Sequence, residues 1–241
     1  MELARSFYTC QRHFPNSNLF STKHFHQLIG IMDEVKVKKG ASIYEEGDKA
    51  NKWFYVKSGT VELSKTADDG KELTMSYALS GDFFGELKDD NRPTHALRAE
   101  AVEPCTIGAI HQEELQRLFF SDKEFAFELM NWMAYIQRSM QLRMRDLLFY
   151  GKFGALSSTL IRMINTYGFQ DGPAIRVKMK LSHAQLAKMI GATRETVNRM
   201  LNQLRKDGII EVEKNTMLIY DIEHLKNMSH CEGCPASICR L

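Results

Sequence analysis

Three cysteines carry the most specific chemistry in the sequence. Cys231, Cys234 and Cys239 stand in HCEGCPASIC with the spacing C-x2-C-x4-C. Thiolates this close in sequence can share one metal centre with little chain entropy lost, and Gly233 and Pro235 shape the loop between them. A mononuclear zinc site wants four ligands, so three cysteines leave one to find: His224, His230 or a carboxylate. An iron–sulfur cluster is also held by three cysteines and one ligand from elsewhere. A Cys-rich tail without metal is the remaining reading. The chain has five cysteines, an odd number, three of them in the last eleven residues, which favours metal chemistry over a disulfide scaffold. Cys105, in a strand-like Pro-Cys-Thr-Ile, reads as a buried inert thiol, and Cys10 has no second cysteine near it.

The second stretch with chemistry runs from Leu181 to Ile210, LSHAQLAKMIGATRETVNRMLNQLRKDGII. Ser182 with Gln185 forms a capping box, Leu186, Ala187 and Ile190 give a short apolar face, and Gly191 marks a tight turn. Thr193 caps the next helix, whose Val197, Met200, Leu201 and Leu204 face inward while Arg194, Glu195, Asn198 and Arg199 face out. This is the pattern of a helix-turn-helix, and the strand formers after Gly208, with a Lys214-Asn215 turn, add a wing. Residues 174–208 hold eight Lys and Arg against two acidic residues, a basic patch that the whole-chain net charge of +2 conceals. Such a patch supplies the phosphate attraction a DNA complex needs. Ser182, Lys188 and Thr193 are placed for phosphate contacts.

These two stretches need elements to hold them. Residues 121–149 read as one long helix, opened by a Ser121–Glu124 capping box and a Phe120–Phe125 staple. Leu129, Met133, Ile136, Met140, Met144 and Leu147 recur along it at steps of three and four. A single seam of that length needs a partner, and a dimer helix joining two domains is preferred over a buried helix of one domain. Before it, residues 31–120 carry short runs of strand formers broken at Gly40, Gly47, Gly59, Gly70 and Gly81, the pattern of a small antiparallel barrel or jelly roll. Residues 1–30 say little, and their histidines read as surface or packing residues.

At 241 residues the chain can bury one large core or two smaller ones. No apolar run reaches the ~18 residues of a membrane span. MELARSFYTC has no secretory core, so the expected location is the cytoplasm, without membrane attachment.

The glycine pattern of the β domain and Arg194-Glu195-Thr196-Val197-Asn198-Arg199 resemble the Crp/Fnr family of transcription regulators. Within it, Met130-Asn131-Trp132-Met133, Arg145-Asp146-Leu147-Leu148, Gly154-Ala155-Leu156 and the Cys-x2-Cys-Pro tail are similar to the Bacillus-type Fnr regulators. The resemblance implies an α+β chain: an N-terminal segment (1–30), a cyclic-nucleotide-binding-like β-roll (31–120), a dimerisation helix (121–149), a winged helix-turn-helix (150–225) and an iron–sulfur tail (226–241). It implies that Arg194, Glu195 and Arg199 read bases, with Asn198 at a variable position, on a palindrome near TGTGA–TCACA. The chemistry suits them, since Arg fits guanine O6 and N7 and Glu accepts from cytosine N4. It also implies a homodimer, RNA polymerase as a partner, and one [4Fe-4S] cluster per subunit on Cys231, Cys234, Cys239 and Asp146. Without the resemblance, Asp146 reads as an ordinary surface carboxylate.

In the nucleotide-binding members a phosphate cassette opens Gly-Glu-Leu and closes with Arg followed by Ser or Thr. Gly85-Glu86-Leu87 matches the opening, but His95-Ala96 stands at the close, with Arg92 and Arg98 out of register. Cyclic nucleotide is therefore not expected, because His cannot supply a fixed bidentate guanidinium, and Glu86 reads as a turn-stabilising carboxylate. The resulting expectation is an oxygen-responsive regulator, not an enzyme, that activates anaerobic metabolism genes when its cluster is bound. The alternatives are a regulator of this fold with another effector and a structural zinc tail, and an iron–sulfur redox enzyme, for which no substrate motif is present.

Overall fold

The computed structural model describes residues 14–87, 94–178, 181–213 and 216–241. Cys10, Arg92 and the Lys214-Asn215 turn lie outside them. The chain forms two compact units, one of Pro15–Arg138 and one built on Ser139–Leu241.

In the first unit, α1 (Thr22–Gly30) is followed by β1 (Asp33–Val37), β2 (Ser42–Tyr44), β3 (Lys52–Ser58), β4 (Thr60–Thr66), β5 (Glu72–Leu79), β6 (Phe83–Phe84), β7 (Arg98–Ala101) and β8 (Cys105–His111). They form two four-stranded antiparallel sheets, ordered β1-β8-β3-β6 and β2-β7-β4-β5. Alternation along the strands sends one set of side chains between the sheets. Tyr44, Phe54, Val56, Val61, Phe84 and Ile107 make that core, with Cys105 buried among them. This is the expected β-roll.

A second core lies on the outer face of the first sheet. Trp53 stacks on Phe83 at 4.2 Å and meets Trp132 edge-on at 4.9 Å. Phe20 and Leu28, then Leu115 of α2 (Gln112–Ser121), and Phe125 and Leu129 of α3 (Lys123–Phe149) complete it. Sequence reading missed α1 and α2. Both are short, and their apolar residues show their purpose only against the sheet.

The long helix begins later than its pattern indicates. Asp122, not Ser121, caps it: Oδ1 accepts from the amides of Glu124 and Phe125 at 3.0 and 3.2 Å. Ser121 instead donates to Leu118 O at the end of α2. The Phe120–Phe125 staple does not form, since Phe120 is 83% exposed and Phe125 fully buried. The single apolar seam also divides. Phe125, Leu129, Trp132 and Ile136 pack on the roll, whereas Phe127, Met130 and Met133 face solvent, as do Met144 and Leu148 further along.

In the second unit, α3 gives way at Tyr150 to α4 (Gly151–Tyr167). Gly151 supplies the break with a φ of +61°, which a side chain would resist. Gly154 permits a close approach instead, since a Cβ there would lie 3.1 Å from Met228 O. Then follow β9 (Gly168–Asp171), β10 (Ala174–Lys178), α5 (His183–Met189), α6 (Arg194–Lys206), β11 (Ile210–Glu213), β12 (Thr216–Ile219) and α7 (Ile222–Met228). The four strands form one antiparallel sheet, β11-β12-β10-β9, so the wing hairpin is joined to a second hairpin, of which the sequence pattern indicates the strand from Ile175 but not β9. No helix among the described residues is long and apolar enough to cross a membrane.

Candidate nucleic-acid interface and cysteine site

The helix-turn-helix is built as its caps require. Ser182 and Gln185 make both halves of a capping box on α5, with Ser182 N donating to Gln185 Oε1 at 2.9 Å and Gln185 N to Ser182 Oγ at 3.2 Å. Thr193 Oγ1 accepts from Thr196 N at 3.2 Å and opens α6. Val197, Met200, Leu201 and Leu204 are buried, so Arg194, Glu195, Asn198 and Arg199 are carried together on the solvent face. Ser182 and Thr193 are exposed near the starts of the two helices, and Lys188 is half-buried in the last turn of α5. The Glu195 carboxyl is held below its usual range by its own first-turn amide and the Thr193 hydroxyl, so it stands ready as an anionic acceptor.

The cysteine site lies in the same unit. Asp146 corrects the sequence reading most sharply: it is 2% exposed, not a surface carboxylate. Oδ1 accepts from Arg145 Nε at 3.1 Å and Nη2 at 2.8 Å. Oδ2 accepts from Ser158 Oγ at 2.5 Å and Arg162 Nη2 at 2.6 Å. A carboxylate offers about four lone-pair sites, and all are engaged. Ser158 and Arg162 lie one turn apart on α4, which is why they meet the same oxygen.

The cysteine loop is shaped at the end of α7. His230 adopts a φ of +45°, its amide donates to Asn227 O at 3.2 Å, and Cys231 N donates to Lys226 O at 2.9 Å. This is a Schellman motif with histidine in the place glycine usually takes. Further on, Asn165 Nδ2 donates to Cys239 O at 2.6 Å, Arg143 Nη2 to Arg240 O at 2.9 Å, and Leu241 N to Thr166 Oγ1 at 3.1 Å. Cys239 is buried, and Cys231 and Cys234 are half-buried. Burial pushes the Cys239 thiol up, Arg162 pulls it down, and Cys231, Cys234 and Asp146 push with burial. Cys231, Cys234 and Asp146 thus each lie within electrostatic reach of Cys239.

A tetrahedral zinc with bonds of about 2.3 Å needs thiolates about 3.8 Å apart. Among the described residues, the set of three ligating side chains whose atoms all lie within 4.8 Å is His24, Asp122 and Glu124, not the cysteines. Three thiols suit a soft metal centre, zinc or iron–sulfur, and Arg145 and Arg162 beside Asp146 offset negative charge. Ligation by Asp146 requires one of its four contacts to be exchanged. His224 is exposed on α7, and His230 stacks on Tyr150 at 4.7 Å.

In the roll, the cassette position is filled from within. His95 is 2% exposed and lies flat on Tyr44 at 3.6 Å. Its Nδ1 meets Glu86 Oε2 at 2.5 Å, and Glu86 Oε1 accepts from Ala96 N at 3.0 Å. Burial works to raise the Glu86 carboxyl, but His95 and the Ala96 amide outweigh it and hold it low. Arg98 is paired with Glu45 and Glu100.

A β-roll followed by a basic winged helix-turn-helix defines a DNA-binding transcription regulator. Comparison with known proteins agrees. Residues 34–122 match the cyclic nucleotide-binding domain, and residues 155–228 the Crp-like helix-turn-helix domain. The Anaerobic regulatory protein of Bacillus subtilis is 35% identical, covering 94% of this chain and 96% of its own. A CRP-like cAMP-activated global transcriptional regulator of Mycobacterium tuberculosis is 26% identical over 82% of this chain and 88% of its own. The structure of FixK2 from Bradyrhizobium japonicum superposes with a TM-score of 0.72 at 24% identity, covering 82% of this chain and 97% of its own. The chain belongs to the Crp/Fnr family, whose members regulate transcription and are not enzymes.

Proposed function

We propose that the chain is an oxygen-responsive regulator of anaerobic metabolism, acting as an activator when a [4Fe-4S] cluster is held by Cys231, Cys234, Cys239 and Asp146, one per subunit. The observation that carries this reading is that Arg145 pairs at once with the buried Asp146 and with Glu232, which stands between Cys231 and Cys234, in the unit where Cys239 is buried as a free thiol. The 35% identity to a protein named as an anaerobic regulator supports it. The cluster would supply oxygen-labile iron–thiolate bonds. The chain's own part is to hold three thiols and a carboxylate at the α3–α4 corner, with Arg145 and Arg162 against the charge.

DNA reading is assigned to Arg194, Glu195 and Arg199, with Asn198 beside them and Ser182, Lys188 and Thr193 on phosphates. A palindrome near TGTGA–TCACA requires two-fold symmetry, and the open apolar face of α3 (Phe127, Met130, Met133) gives a homodimer its contact. RNA polymerase is the further partner. Cyclic nucleotide is not the effector, because Glu86 and His95 already satisfy each other.

The test is protein purified without oxygen, with iron and sulfide counted per chain. About four of each, with DNA affinity falling on exposure to air, is the expected result. Zinc without iron would remove the oxygen-sensing reading and leave the DNA-binding class intact.

A further inference from the structure

Arg145 makes contacts on three sides. Its Nε and Nη2 hold Asp146 Oδ1, at 3.1 and 2.8 Å. Its Nη1 lies 2.8 Å from Glu232 Oε1, an ion pair whose N–H is not aimed along the contact. Glu232 stands between Cys231 and Cys234. The guanidinium carbon is 5.6 Å from the centre of the Tyr150 ring, and that ring stacks on His230, next to Cys231. The Cys239 end has its own anchors in Asn165, Arg143 and Thr166. The Cys231–Cys234 loop has Arg145 and Tyr150.

We propose that Arg145 is a positioning residue of the cysteine site: one guanidinium joins Asp146 to the Cys231–Cys234 loop through Glu232 and sets the donors against the α3–α4 corner independently of metal. This rests on the cluster-binding reading for its purpose, but the contact itself belongs to the protein alone. A planar fork holds two carboxylates at fixed angles, which a lysine ammonium on a flexible stem does with less geometric control. The consequence is mechanistic. Arg145 then ties the tail to the α3–α4 corner by contacts of the protein itself, and any ligand role of Asp146 is shared with its arginines.

The experiment follows amide hydrogen exchange by mass spectrometry in full-length, metal-free protein. In Arg145→Gln, exchange over residues 231–234 is expected to quicken on the order of tenfold, from the loss of the Glu232 ion pair together with the hydrogen bonds to Asp146. Arg145→Lys should fall between wild type and Arg145→Gln. Glu232→Ala leaves Asp146 and its partners in place and guards against a folding defect. Because that pair is half in solvent, the expected change is only about two- to fivefold. Initial rates of iron uptake during anaerobic reconstitution should fall in the same order. Loop exchange unchanged in both Arg145→Gln and Glu232→Ala would overturn the proposal. A wild type that takes up no iron would instead remove the cluster reading, while the exchange data still decide the role of Arg145.

Discussion

Glu86 in the roll and Asp146 at the end of α3 are both carboxylates held by basic side chains, yet they are built to different ends. Glu86 is closed off locally. His95 takes one oxygen and the Ala96 amide the other, and Tyr44 covers the imidazole. Among the described residues the Glu86 side chain meets the His95 imidazole and the Ala96 amide, and no thiol or guanidinium. Asp146 is buried more deeply and carries two arginines and a serine, with the Cys239 thiol in electrostatic reach. A carboxylate with two guanidiniums can give up one contact and remain paired. One with a single imidazole cannot do so without stranding it. The two carboxylates thus differ in kind: Glu86 is paired within the roll, and Asp146 has more than one guanidinium partner.

The comparison breaks first at Asp146. Asp146→Ala leaves the buried Arg162 without its counter-ion, and removing one partner of such a pair costs about 3–5 kcal/mol. The second unit should therefore lose stability in urea by that order, as well as losing its iron. A surface carboxylate would show the second effect without the first. Asp146→Asn, which keeps the shape, should lose less stability, and a variant as stable as wild type would show the network to be dispensable.

A smaller effect separates DNA reading from both carboxylates. Arg199→Ala should cost about 1–3 kcal/mol per half-site and remove the preference for a GC pair, read by competition among half-site variants. Lys188→Ala should weaken all sequences alike and lower the salt slope by about 1. An unchanged specificity ratio in Arg199→Ala would remove that residue from the reading face.

The least effect is expected in the roll. A carboxyl held below its unfolded value, near 4.5 for Glu86, stabilises the fold above that pH and loses its contribution as pH falls through the folded value. Melting of wild type should therefore drop on acidification below pH 4.5, and Glu86→Gln should flatten the part due to this residue. Calorimetric titration with cyclic AMP should give no binding coupled to DNA affinity. Micromolar binding would show that His95 and Glu86 part for a ligand, and the contrast with Asp146 would collapse.

What could be read from the sequence was what neighbours in sequence decide. Ser182 with Gln185, and Thr193 with Thr196, are caps made within three residues, and the apolar spacing of α6 fixes which side chains it exposes. The turn glycines of the roll and the cysteine spacing are equally local. The family resemblance, and not spacing, brought Asp146 into view. Its burial could not be read, because the residues that bury it, Ser158 and Arg162, lie 12 and 16 positions away on another helix. The same holds for His95, whose flat stack on Tyr44 of β2 joins residues far apart in sequence, and for Phe120, which leaves the long helix once Asp122 takes the cap. It holds for α3 itself, where one periodic stripe became a face toward the roll and a face toward solvent. Hydrogen bonds within a turn are written in adjacent letters. Which carboxylate is sealed and which stays exchangeable depends on the groups that the fold brings to it.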